Sequence, residues 1–214
     1  MKSSAAAFLC VCLAWAGVAK ADIISWTCAN DGDGAINCQT TGWHHDTSAG
    51  EYDLTIAGDQ FWGPGHMLMN FGTDTGADPT IKSINEITND TGSAWTGYQV
   101  NVTLDTNTAL TSYALSNAVV TAPGNWTATV TQGLTYEGRV GSKYEYVGTI
   151  DFAGGAPVAD GGELDFSYKM SFAGATSYSA IQSITPTPVP EPATLSLLAL
   201  GLGGLGLLRK RRNG

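Results

Sequence analysis

From about residue 51 onward, apolar and polar side chains alternate one for one. Tyr98, Val100, Val102 and Leu104 face one way, and Gln99, Asn101, Thr103 and Asp105 face the other. Leu164, Phe166, Tyr168, Met170 and Phe172 repeat this against Glu163, Asp165, Ser167, Lys169 and Ser171. Tyr144, Tyr146, Ile150 and Phe152 do so around Glu145, Thr149 and Asp151. Successive side chains of a strand point to opposite faces, so this period predicts antiparallel strands with one apolar and one solvated face. Shorter strands are expected over 52–57, 66–71, 80–87, 112–121, 125–131 and 134–140. Gly63-Pro64-Gly65, Asp90-Thr91-Gly92, Ala122-Pro123-Gly124, Gly141-Ser142 and Asp160-Gly161-Gly162 are turn signals between the runs. About nine short strands at this spacing predict an all-β domain over 22–184, an antiparallel two-sheet sandwich of immunoglobulin-like or jelly-roll type.

Both ends break the pattern. Residues 1–21 read as a signal peptide for the secretion machinery: Lys2, an apolar run over 5–18, then Ala19-Lys20-Ala21 as a small-x-small cleavage site. An N-terminal anchor is the alternative, but the run is short for a span. Residues 185–192 read Thr-Pro-Thr-Pro-Val-Pro-Glu-Pro and predict a stiff extended linker. Residues 193–208 carry no charge. As a helix they would cover roughly 24 Å at about 1.5 Å per residue, a little less than a hydrocarbon core. Snorkelling of the basic residues that follow can make up the difference, so a transmembrane helix is expected. Arg209, Lys210, Arg211 and Arg212, in the tail 209–214, should stay cytoplasmic and leave the β domain outside. Gly201-Leu202-Gly203-Gly204-Leu205-Gly206 matches a dinucleotide fingerprint only by accident, since no strand precedes it and no βαβ unit follows.

The Pro190-Glu191-Pro192 triplet, the glycine-bearing apolar run and the basic tail stand in order over 189–212, at the end of the sequence. Together they resemble the PEP-CTERM sorting signal of Gram-negative bacteria. The resemblance implies recognition of Pro190, Glu191 and Pro192 by an exosortase, a membrane-embedded processing enzyme. It also implies a membrane-tethered intermediate, followed by residence at the cell surface or in an exopolysaccharide matrix. The rival fate is permanent anchoring. The segments Asp78-Pro79-Thr80, Ile87 to Gly92 and Trp95 to Val100 are similar to a stretch common in such proteins: a strand, a turn and an aromatic-led strand.

Charge sharpens the picture. All 19 acidic residues lie between Asp22 and Glu191, with only Lys82, Arg139, Lys143 and Lys169 among them. The exported part therefore carries a net charge of −15, against −9 for the whole chain. This argues against nucleic acid as a partner. Cys10 and Cys12 leave with the signal peptide, so Cys28 and Cys38 form an even pair in an oxidising compartment and predict a disulfide. A metal site made of these cysteines and a histidine is the alternative.

Few motifs carry chemistry. Asn30-Asp31-Gly32-Asp33-Gly34 could wrap Ca²⁺ through Asp31 and Asp33, but it lacks the closing Glu of an EF-hand and reads first as a polar turn. His44 and His45 would point to opposite faces of a strand, with His66 distant in sequence. Gly-x-Ser-x-Gly does not occur, and no spacing selects a carboxylate pair. Trp43, Trp62, Trp95 and Trp126 could stack on sugars, though Trp95 and Trp126 lead strands and suit a core. Asn89-Asp90-Thr91, Asn101-Val102-Thr103 and Asn125-Trp126-Thr127 match a glycosylation pattern that Thr-rich strands also produce by chance. The expectation is an exported, non-catalytic structural or adhesive protein without a cofactor. The alternative is a permanently anchored carbohydrate- or Ca²⁺-binding module.

Overall fold

The computed structural model describes residues 21–77 and 79–189. The signal peptide, with Ala19, the tail 193–208 and the basic cluster lie outside the described residues, as does the Pro190–Pro192 triplet. Among the described residues there are eleven strands: β1 (Ile23–Asn30), β2 (Ile36–Asp46), β3 (Glu51–Gln60), β4 (Gly65–Thr73), β5 (Thr80–Asn89), β6 (Trp95–Thr106), β7 (Ser112–Ala122), β8 (Thr127–Val140), β9 (Lys143–Val158), β10 (Glu163–Ala173) and β11 (Ser177–Pro188). They form a six-stranded sheet, β1-β4-β11-β6-β9-β8, and a five-stranded sheet, β2-β3-β5-β10-β7. The expected sandwich is present, with one parallel pair, β3–β5, among antiparallel neighbours. That exception follows from connectivity: β4 crosses to the other sheet between them, so the chain re-enters in the same direction.

Strands with strong alternation lie in the middle of the sheets. β6 and β10 bury every second residue along their length. β1, β2 and β11 were not signalled by alternation, for different reasons. β1 and β2 are edge strands whose faces are only partly covered. β11 is central, but its inward positions are Tyr178, Ala180, Gln182 and Ile184, two of which do not read as apolar bulk. The runs 125–131 and 134–140 merge into the single strand β8, which shifts register against β9 near Gln132 and again near Gly138. Such bulges bend an edge strand and disfavour pairing with a further strand.

Thr185 to Pro188 are strand, not linker. They continue β11, pairing Thr185 with Gln99, Pro186 with Tyr98, Thr187 with Gly97 and Pro188 with Trp95. The prolines fit because β4 ends at the level of Ile184, where its Gly65 pairs. The Val189 amide donates to Ala94 O at 2.7 Å, toward β6. By alternation, residues 186 and 188 turn their nitrogens to the side that β4 has vacated, so no ladder bond is lost.

The core is aromatic at both ends. Trp95, Tyr98, Phe152 and Phe166 pack at the end where β11 finishes, with centroids 5.1 Å apart for Trp95–Tyr98 and 4.6 Å for Phe152–Phe166. Phe71, Phe172 and Tyr178 pack toward the other end, Phe172 and Tyr178 at 4.3 Å. Between them runs a fully buried polar chain. The Tyr168 hydroxyl donates to Gln182 Oε1, the Gln182 amide donates to Asn85 Oδ1 at 3.0 Å, and the Asn85 amide donates to Ser83 Oγ at 3.0 Å. Tyr168, Asn85 and Ser83 belong to the five-stranded sheet and Gln182 to the six-stranded one, so the bonds cross the sandwich. Burial pushes the Tyr168 hydroxyl up, so it stays protonated and donating. Tyr168→Phe keeps the volume but leaves Gln182 Oε1 buried without its donor. The expected loss is about 1–3 kcal/mol with the fold retained, measured by urea unfolding.

Candidate functional site

The end of the sandwich from which the chain departs is built by the turns after β1, β3, β5, β7 and β9. Asn89, fully buried, organises it. Its amide donates to Ser93 O at 2.9 Å and Val158 O at 3.0 Å. Its Oδ1 accepts from the Thr91 amide at 3.1 Å and the Thr91 hydroxyl at 2.7 Å. The Asn89-Asp90-Thr91 match to a glycosylation pattern is therefore a structural turn, with the acceptor nitrogen enclosed. Trp95 donates its indole N–H to Thr91 Oγ1 at 3.0 Å. A shallow cavity of about 220 Å³ opens here, lined by Trp62, Gly63, Thr91, Ser93, Trp95, Pro186 and Pro188. Trp62 is 53% exposed, beside Phe61. One residue, Val189, separates the last strand residue from the Pro190-Glu191-Pro192 triplet.

Cys28 and Cys38 lie on β1 and β2, the facing edge strands of the two sheets, with the sulfurs 3.7 Å apart and unbonded. The predicted covalent link is thus not formed in the structure, although the pairing is. The mutual hydrogen bond first, and burial second, push the Cys28 thiol up. The same bond holds Cys38 down. Nearby, Trp26 N–H donates to Thr40 Oγ1 at 3.2 Å across the same edge.

The remaining sequence candidates are not brought together. Asp31 Oδ1 accepts from the Asp33 amide at 3.1 Å, and Asp33 Oδ1 accepts from the Ala35 amide at 2.7 Å. Those bonds, with Gly32 and Gly34 at positive φ, make the segment a pair of nested turns. The Asp33 amide is also the main reason why the Asp31 carboxyl is held below its usual value. Among the described residues no group of three His, Cys, Asp or Glu side chains could hold a metal. His45 stacks on Tyr52 at 4.2 Å, and His66 bonds Ser183 Oγ at 2.8 Å on another strand. Trp95 and Trp126 are buried, whereas Trp43 (52% exposed) and Trp62 sit on different elements, Trp43 stacked on Tyr52. The four tryptophans do not form a shared platform. A cleft that the sequence did not announce lies at the opposite end, lined by Tyr113, Tyr136, Tyr144 and Tyr146. Its tyrosines come from three strands, and only Tyr144 and Tyr146 are adjacent in an alternating run.

A β-sandwich whose final strand runs straight into a proline-bounded triplet, an uncharged stretch and a basic tail defines a class: an exported domain carrying its own sorting signal. Residues 188–212 match the family model described as the PEP-CTERM protein-sorting motif, so this is a PEP-CTERM sorting domain-containing protein. The motif marks an exported protein processed by an exosortase, held first at the membrane and then located at the surface. A search of curated proteins finds no match to the chain.

The carboxyl with a raised pKa, Asp165, does not lie in a cleft. It stands on the outer face of β10, opposite Glu86 of β5 and two residues from Glu163, with Oδ1 lacking a partner. Desolvation first, then Glu163 and Glu86, push it up. The folded state therefore holds this proton more tightly than the unfolded chain does. That contribution is complete below about pH 3.9 and is lost as pH rises through the raised value. Asp165→Asn should stabilise the domain at pH 7 by a modest 0.2–1 kcal/mol or so, because solvent screens a partly exposed group. The gain should vanish below about pH 4, as read from thermal unfolding at several pH values.

Proposed function

We propose that this protein is a non-catalytic structural or adhesive domain, delivered through its sorting motif to the cell surface or an exopolysaccharide matrix. The observation that carries this reading is the junction at Pro188–Pro190. The domain is a two-sheet sandwich, and its last strand hands the chain to the Pro190-Glu191-Pro192 triplet with a single intervening residue. Such a design gives the processing enzyme a short extended segment at the rim of a rigid body. Pro-x-Pro stays extended at little entropic cost, which suits capture by an enzyme. Four residues beyond Val189 span at most ~14 Å, so the rim bearing Trp62 and Phe61 stays close to the bilayer until processing. Aromatic side chains of this kind settle well at a membrane interface.

The absence of a catalytic role is supported by the fate of the polar candidates. The carboxylates of Asp31 and Asp33 hold backbone amides, His45 stacks on Tyr52 while His66 bonds Ser183 on another strand, and the raised Asp165 carboxyl is half-buried on the outer face of a sheet. No metal or organic cofactor enters the reading.

Oxidation of Cys28 and Cys38 completes the exported form. The two thiols lose two protons and two electrons to the oxidant of the export compartment and close a short loop between the sheet edges. The stabilisation is about 2–3 kcal/mol by the loop-entropy rule.

Three outcomes are expected. Mass spectrometry of the mature protein should show a C-terminus near Pro190–Pro192 in a host with an exosortase and an intact tail in one without; an intact tail in both would overturn the reading. The non-reduced protein should lack two hydrogens relative to the reduced one, and Cys38→Ser should lower stability by about 2–3 kcal/mol. A short Gly-Ser spacer inserted after Val189 should leave export unchanged and raise the rate of processing, followed by pulse-chase, because the triplet would no longer abut a folded strand.

A further inference from the structure

The end of the sandwich remote from the sorting motif holds a half-open cleft of about 230 Å³, lined by Ala109, Leu110, Tyr113, Tyr136, Tyr144 and Tyr146. Tyr146 is its buried floor, with Tyr113 4.6 Å away and Tyr136 5.4 Å away between ring centroids. Tyr144 lies 6.2 Å from Tyr136. A set of rings that merely plugged the sandwich would be buried, but Tyr136 is 44% and Tyr113 37% exposed. The Tyr146 hydroxyl accepts from the Leu110 amide at 2.8 Å. Among the described residues the hydroxyls of Tyr113, Tyr136 and Tyr144 make no hydrogen bond, so three donor–acceptor groups stand free at the rim.

Charge gives the second, independent observation. Of the four cations among the described residues, Lys82 and Lys169 are paired, with Asp53 at 3.8 Å and Glu51 at 2.5 Å. Arg139 and Lys143 are not ion-paired among the described residues, and both belong to the β8–β9 hairpin at the cleft. The Arg139 guanidinium lies over the Tyr144 ring, 4.8 Å from its centroid, and donates weakly to Ser142 O at 3.4 Å. The hairpin's own carboxylates do not neutralise it. Glu145 alternates to the outer face opposite Asp105, and Glu137 accepts from Gln132 at 3.4 Å.

We propose that this cleft binds a carboxylate-bearing sugar residue of an acidic polysaccharide. This deepens, and rests on, the surface or matrix role above. The tyrosine faces take the apolar face of the sugar ring, their free hydroxyls meet its hydroxyl rim, and Arg139 takes the carboxylate with its planar fork. The volume is below the roughly 300–1,000 Å³ of sites that enclose a drug-sized ligand, which suits one ring of a chain passing through an open cleft. In a domain of such strong negative charge, the unpaired Arg139 held over the Tyr144 ring selects for an anion at the cleft.

The test is calorimetry on the mature protein purified from its exporting host. The probes are an oligogalacturonate, its methyl ester and polyglutamate. Oligogalacturonate should bind, and esterification should weaken binding at least tenfold. Arg139→Gln and Tyr136→Ala should each weaken it about tenfold, with unchanged unfolding curves, since both side chains are exposed. Equal affinity for the ester, equal affinity for polyglutamate, no binding of any probe, or variants that bind like the parent would each overturn the proposal. Protease accessibility on intact cells separates this from the reading it rests on. Surface exposure without oligogalacturonate binding overturns the cleft assignment alone; binding by a protein that never reaches the surface overturns the surface role alone.

Discussion

Two sheets pressed face to face can slide or rotate unless something fixes their mutual position, and apolar packing alone does this loosely. Here Tyr168, Gln182, Asn85 and Ser83 supply the constraint. Each polar group buried between the sheets needs its partner, and the partners lie on opposite layers, so only one relative placement satisfies them. Gln60 repeats the device: its Oε1 accepts from the buried Tyr98 hydroxyl at 2.9 Å, and its amide donates to Gly63 O at 2.7 Å. The apolar residues around these bridges provide most of the stabilisation. The bridges choose which packing it stabilises.

With the sheets fixed, the two ends of the domain become fixed platforms with different tasks. β11 and β6 run antiparallel, so the strand ends at Pro188 and Trp95 share one end, while Tyr178, Thr106 and Tyr144 share the other. A strand such as β6, with 12 residues, separates these ends by roughly 35 Å at about 3.3 Å per residue. The sorting end carries Asp31, Asp33, Asp90 and Asp160 in its turns. The unpaired cations Arg139 and Lys143 sit at the far end with the tyrosines. A chain tethered at the first end therefore presents the second outward. Orientation with respect to the membrane follows from strand direction alone.

The sequence was legible where burial is complete on one side and absent on the other. β6 and β10 show this alternation because each sits inside a sheet with one face on the core. It failed where a strand's surroundings are mixed. β1 and β2 lie at edges, and β11 turns Ala180 and Gln182 inward, the glutamine because it belongs to the polar bridge between the sheets. The same rule explains the sites. The sorting signal is contiguous and can be read directly, and the Asp31–Gly34 turn is local. The tyrosine cleft draws on β7, β8 and β9 and exists only after the edge strands meet, so no linear pattern could disclose it. The prolines of 185–188 misled for a related reason. Proline argues against a strand only where a partner needs its amide, and the early end of β4 removes that need.

That last point bears on how the protein is handled. A flexible linker would let the domain and the sorting signal act independently. Pairing of Thr185 to Pro188 with β6 and the Val189–Ala94 hydrogen bond couple them instead. From Thr185 onward β11 has a neighbour on one side only, so this stretch is the least secured part of a central strand. An unfolded or half-folded domain would leave the residues before the triplet loose; a folded one presents them at a defined height above the membrane. The last strand to be threaded out of the membrane is also a central one, flanked by β4 and β6, so the six-stranded sheet cannot close before nearly the whole domain has crossed. Completion of the six-stranded sheet thus waits for β11, the strand that leads directly to the sorting signal.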